Sequence, residues 1–263
     1  MPELPDLEVF KSNIFSRLTS KRLVSLEVFS PKITTPKSIL EIELIGRDLS
    51  CVSRYGKELL FDFADNRIIA AHLMLNGKVS IVSDSGAVEK IKSKVFALNF
   101  ERESVILHDT GNVGTVIRYK PIIGGAPDAL GKDFTLDYFI GMAQRKATTN
   151  IKAFLIDQKV VKGIGNAYAD EILWSSRISP KSITGQIPGE AMAKLYNAIG
   201  KVLSDAVVSI KAIAPDIISG EERSFLNVHS RFKKKTETGF PIIVETIASK
   251  TTYFTEEQIA YVR

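Results

Sequence analysis

Hydrophobic positions follow one period in the first half of this chain and another in the second. A helical stretch over Asp6–Leu18 opens it. From there to Tyr119, short runs rich in branched and aromatic residues predict strands over Leu23–Val28, Leu59–Phe63, Ile68–Leu73, Lys78–Val82, Val95–Phe100 and Val105–Leu107. Turn residues at Asp65-Asn66, Asn76-Gly77 and Ser85-Gly86 space them as in a meander or sandwich. Residues 120–128 carry two prolines and two glycines and read as a loop, after which the period becomes helical. Helices are predicted over Asp137–Arg145, Asn150–Gln158, Ala167–Ser175 and Glu190–Ile213, the last with Met192, Leu195, Ile199, Val202, Leu203 and Ala206 on one face. Past Ser224, the runs from Pro241 and from Thr251 read as two strands around a tight basic turn. The fold class is therefore α+β: an N-terminal β-sandwich with an initial helix (1–133), a helical domain (134–225) and a closing β-hairpin (226–263).

Composition narrows the function classes. With 263 residues, 44% hydrophobic and 25% charged, the chain is neither disordered nor fibrous. A net charge of +5 permits a polyanionic partner without requiring one. Cys51 stands alone, which excludes an intrachain disulfide and a cysteine-rich zinc site. The longest apolar stretch, Ile68 to Leu75, is broken by His72 and too short to span a bilayer, while Glu3, Asp6 and Glu8 stand where a leader would be basic, then apolar. A cytoplasmic or nucleoid-associated protein with no membrane partner is expected.

Two clusters carry candidate chemistry. The chain begins Met1-Pro2-Glu3-Leu4-Pro5-Asp6, and removal of Met1 would leave Pro2 with a secondary amine. An α-amino group titrates near ~7.7–8.0, so part of it is neutral and nucleophilic at physiological pH, as Schiff-base chemistry requires. Glu3 beside it could act as a general acid. The same residues also serve as a proline-stiffened chain start. The second cluster, Gly163 to Trp174, is a glycine turn opening a helix, where backbone N–H groups can hold a phosphate or simply form a corner. No Gly-Lys-Ser/Thr follows it and no strand-helix-strand unit surrounds it, which disfavours a nucleotide cofactor.

Together with Arg54 to Phe61 and His72 to Gly77, these clusters resemble the formamidopyrimidine-DNA glycosylase and endonuclease VIII family of base-excision repair enzymes, along the whole chain. The resemblance implies a bifunctional glycosylase and abasic-site lyase. In it Pro2 attacks the sugar carbon bearing a damaged base, Glu3 protonates the ring oxygen, and Lys57 contacts phosphate and assists proton transfer. It implies no cofactor, a monomer, and damaged double-stranded DNA as partner, with the target nucleotide flipped out. It also implies a helix-two-turn-helix motif at Gly163–Trp174, phosphate contacts at Lys92, Lys152 and Asn166, and an apolar wedge at Leu75 where a methionine is usual.

The chain also departs from that family. The four cysteines of its closing zinc finger are replaced by Lys235, Thr238, Phe254 and Glu257, so a zincless finger is expected, held by Phe240, Ile242, Val244, Tyr253 and Phe254. In an ungapped register Ser249 takes the place of the finger arginine, with Lys250 beside it as a substitute point charge. Lys250 lacks the bidentate fork of arginine, which leaves δ-elimination open, while Gly111 and Val113 stand where an arginine and a phenylalanine usually fill the gap, which points also to single-stranded or bubble DNA. Two rivals remain: a non-catalytic damaged-DNA binder, which would need no Pro2 amine, and a small tautomerase, which would not explain Gly163 to Trp174.

Overall fold

The computed structural model describes residues 1–262 except 32, 34, 84, 112–114 and 122–123 and the side chains of 85–87. Helix α1 (Leu4–Leu18) starts ahead of the apolar pattern because Pro5 fits a first turn and Glu3 with Asp6 forms a capping box. There follow β1 (Leu23–Val28), α2 (Lys37–Leu44), β2 (Leu49–Tyr55), β3 (Glu58–Phe63), β4 (Arg67–His72), β5 (Gly77–Val82), α3 (Ser85–Lys90), β6 (Lys94–Phe100), β7 (Ser104–Asp109) and β8 (Val116–Tyr119).

These strands make two four-stranded antiparallel sheets, ordered β1-β6-β7-β5 and β2-β3-β4-β8. Both sheets and α1 share one core, in which Phe10, Ile14, Leu26, Phe61, Ile69, Phe96, Leu98 and Leu107 are at most 1% exposed. Burying each such side chain contributes roughly 1.5–3 kcal/mol. The pattern did not announce α2, β2 or β8, and α3 replaces the turn expected at Ser85-Gly86. In β2 a bulge between Leu49 and Cys51 breaks the alternation that would have marked it.

The second half holds α4 (Leu136–Arg145), α5 (Ile151–Ile156), α6 (Asn166–Ser175), α7 (Gly189–Ile213), β9 (Ile243–Ile247) and β10 (Lys250–Phe254). Thr135 caps α4 and Asn150 caps α5 with side-chain oxygens. An aromatic core joins them, with ring centroids 5.5 Å apart for Phe139–Phe154 and 5.3 Å for Phe134–Tyr196.

By compactness one unit comprises 1–123 with 210–221, and the other 124–209 with 222–263. These bounds differ from 1–133, 134–225 and 226–263 for local reasons. Asn13 Nδ2 donates to the carbonyls of Pro215 (2.7 Å) and Ile217 (2.8 Å), and Ser219 Oγ accepts from the Val79 N–H (3.2 Å), which ties 210–221 to the sheets. The hairpin joins the helices because β10 packs on α6. No helix among the described residues is long and apolar enough to cross a membrane.

Candidate functional site

In the sheet unit, Pro2 and Glu3 are buried at the head of α1, Glu3 being 4% exposed. The amino group of Met1 pairs with the Glu221 carboxylate. Helix α1 packs on β2 and β3, and Arg54 Nε reaches Glu8 Oε2 at 3.0 Å, fixing the hairpin between those strands against the helix. Burial pushes the Glu8 carboxyl up, but Lys11 and Arg54 outweigh it and hold it below its ordinary range.

Tyr55 pairs with Glu58 across Gly56-Lys57, a two-residue turn that Gly56 enters at φ 59°. Lys57 is 9% exposed. Burial first and the Lys57 charge second hold His72 below the ordinary histidine value, so its ring is neutral near pH 7. His72 Nδ1 accepts from the Met74 N–H at 3.1 Å, which leaves the ring proton on Nε2. In the sequence His72 stands only within the motif His72 to Gly77; its closeness to Lys57 comes from strand pairing of Glu58 with His72.

Leu75 stands at the tip of the β4–β5 loop, 65% exposed. Gly77 closes that loop: its N–H donates to Leu73 O at 2.8 Å, and a Cβ there would lie 2.1 Å from the same oxygen. Lys92 is exposed just before β6. Gly111 is exposed and donates its N–H to Asp109 Oδ1 at 3.1 Å, whereas Val113 lies outside the described residues.

In the helical unit the residues expected to touch phosphate are arranged differently. Lys152 is not at the surface: it is fully buried, its Nζ 2.7 Å from Asp170 Oδ1 and 2.6 Å from Thr252 Oγ1. A lysine in that interior needs a full counter-charge, and Asp170 provides it. Asn166 donates to Thr251 O at 2.9 Å, and Lys152 donates to the same carbonyl at 3.3 Å. Both therefore brace the strand that begins at the exposed Lys250.

Asp170 and Glu171, adjacent on α6, extend this bracing, and spacing alone gave no hint of it. Asp170 Oδ2 accepts from the Tyr253 N–H at 3.1 Å and lies 2.7 Å from His229 Nδ1. Glu171 accepts the N–H groups of Asn227 (2.9 Å), Val228 (2.8 Å) and His229 (2.8 Å); burial still pushes its carboxyl up.

The finger turns tightly at Ala248-Ser249, both at positive φ, between Ile247 and Lys250. Of the apolar residues expected to hold it, Phe254 is buried, but Phe240 is 43% and Val244 55% exposed. Polar bonds replace them: Glu257 Oε2 accepts from Thr238 Oγ1 (2.9 Å), Thr255 Oγ1 (3.1 Å) and Trp174 Nε1 (3.1 Å), and Arg177 lies 3.1 Å from Oε1. Two tight turns close with N–H to carbonyl bonds, Gly239 to Thr236 (3.0 Å) and Gln258 to Thr255 (3.4 Å). The buried Thr236, Thr255 and Gln258 thus stand one residue beyond Lys235, Phe254 and Glu257. This donor set does not fit zinc, and no cluster of three or more metal-binding side chains occurs among the described residues.

Residues 1–116 match the family model described as formamidopyrimidine-DNA glycosylase N-terminal domain, and 126–215 that of the formamidopyrimidine-DNA glycosylase H2TH domain. A formamidopyrimidine-DNA glycosylase of Carboxydothermus hydrogenoformans is 33% identical over 208 residues, 78% of this chain and 76% of that protein. One from Lactococcus lactis subsp. lactis is 30% identical over 97% of both chains. Among solved structures, LlFpg in complex with a THF-DNA and an inhibitor superposes with a TM-score of 0.86 at 25% identity, covering 98% of this chain and 100% of that one. A Lactococcus lactis FPG mutant with a Fapy-dG containing DNA gives 0.84 at 25% identity, covering 98% and 99%.

Proposed function

Since the chain belongs to the formamidopyrimidine-DNA glycosylase family, we propose that it removes damaged bases from DNA and cleaves the resulting abasic site through the amine of Pro2, once Met1 is gone. The observation that carries this reading is the buried Pro2-Glu3 pair at the head of α1, with Lys57 on the hairpin that α1 fixes.

The Pro2 nitrogen bonds to the sugar carbon as the base departs, with Glu3 giving a proton to the ring oxygen. The iminium that forms draws electrons, so the adjacent sugar carbon C2′ loses a proton and the C3′–O bond to the 3′ phosphate breaks by β-elimination, leaving a C2′=C3′ double bond. Lys57 serves the phosphate and that proton transfer, and the neutral His72 beside it adds no competing charge. Leu75 is the wedge that fills the vacated stack, and its exposure at a loop tip supports that role.

In the helical unit Lys250 is the phosphate contact. The finger's turns begin one residue beyond the ungapped register, and the same shift moves its basic position from Ser249 to Lys250. Asn166 and Lys152 act on DNA through the strand they brace. Lys92 adds a sequence-independent phosphate contact. The protein acts as a monomer on damaged duplex and on unpaired DNA.

Borohydride trapping on abasic-site DNA tests this reading, with wild type, Pro2→Gly and Glu3→Gln compared after mass spectrometry has verified loss of Met1. A covalent adduct mapped to Pro2, absent in Pro2→Gly, is expected. Tight, salt-sensitive binding with no adduct would instead indicate a non-catalytic damage binder.

A further inference from the structure

The run Arg231–Lys235 takes no part in the site described above. All five residues are exposed, Phe232 by 76%. Among the described residues none of its four cations has an acidic partner. The segment is nonetheless shaped. Ser230 Oγ accepts the N–H groups of Phe232 (3.3 Å) and Lys233 (3.4 Å), the Ile242 N–H donates to Lys234 O (2.9 Å), and Lys233 Nζ donates to Leu226 O. Arg231 lies 4.7 Å from the centroid of the Phe232 ring, whose remaining surface is open.

We propose that Arg231–Lys235 is a second nucleic-acid contact, one that takes an unpaired nucleotide. The Phe232 ring stacks on its base, and Arg231, Lys233, Lys234 and Lys235 bind the phosphates on either side. An aromatic ring among cations fits single strands because only an unpaired base offers an open face. The segment joins the finger at its Ile243–Phe254 end, away from Lys250. From Lys250 to Phe254 the strand measures about 14 Å at roughly 3.4 Å per residue, about the axial rise of four base steps in a duplex. The two contacts therefore engage different phosphates. DNA is chosen as the ligand on the strength of the proposed function.

The test measures fluorescence anisotropy with one labelled abasic-analogue strand, presented alone, in an unpaired bubble and in full duplex. Wild type is compared with Phe232→Ala, Phe232→Trp, the triple Lys233→Ala/Lys234→Ala/Lys235→Ala, and Lys194→Ala as a charge control on α7. Phe232→Ala is expected to weaken single-strand and bubble binding about tenfold and duplex binding far less, and Phe232→Trp to restore it. The triple variant is expected to reduce the salt slope on single strands by about 2. Equal loss on all three ligands, or no restoration by tryptophan, overturns the proposal. Wild-type affinity of Phe232→Ala for all three also overturns it and would leave an acidic protein as the ligand of this run. Borohydride trapping by the wild type, read in parallel, reports on the Pro2 reading alone, so the two can fail separately.

Discussion

At Lys152, matched by resemblance to a phosphate contact, the fold leaves no exposed surface. It seals the side chain beside Asp170, and nothing in the spacing of the two reveals that their helices meet. Asp170→Asn leaves that ammonium without its counter-charge and should cost about 3–5 kcal/mol in urea unfolding, with Lys152→Met added to Asp170→Asn recovering part of the loss. His72 gives a pH signature. Its folded pKa lies below the unfolded value of 6.5, so the unfolded chain takes up the proton first, and stability present above pH 6.5 falls as pH drops through that value. His72→Gln should flatten this part of the stability profile, while His108, shifted the same way by burial, keeps the remainder.

Elements were legible where their periodicity ran unbroken and illegible where geometry interrupted it. β3, β4, β6 and the long α7 stand close to their predicted places, but β2 is bulged and β8 is a four-residue edge strand. The loop from β4 to β5 separates role from stability. Leu75→Ala should change stability by no more than about 0.5 kcal/mol while weakening abasic-DNA affinity, because the side chain is exposed. Gly77→Val should disturb both, since a Cβ collides with Leu73 O. The finger's strands could be read from sequence, but not the bonds that hold them, because Thr238, Trp174, Arg177 and Glu257 meet only in the folded chain. Burial raises the Glu257 carboxyl, yet Thr238, Trp174, Thr255 and Arg177 together bring it below its ordinary 4.5. Its contribution is therefore present above pH 4.5 and lost on further acidification, and Glu257→Gln should remove that acid limb. A chelator should leave the melting temperature and DNA affinity unchanged; a drop in either would put a metal in the finger.

For the whole molecule, 35 basic against 30 acidic residues predicted only tolerance of a polyanion. Family motifs supplied the rest of the functional reading, because each marks a local shape that composition averages away. The logarithm of DNA affinity should fall linearly with the logarithm of salt, and Lys250→Ala should lower the slope by about 0.9 on duplex. The sheet unit is also discontinuous in sequence, completed only by residues 210–221. On the ribosome, Val79 must wait for its partner while 140 further residues are made and Asn13 while 202 are, roughly 7–40 s at about 5–20 residues per second. A chaperone that shields nascent β-structure is thus most needed during that interval, and a nascent chain stalled before residue 210 should be cut by protease far faster than one released at full length.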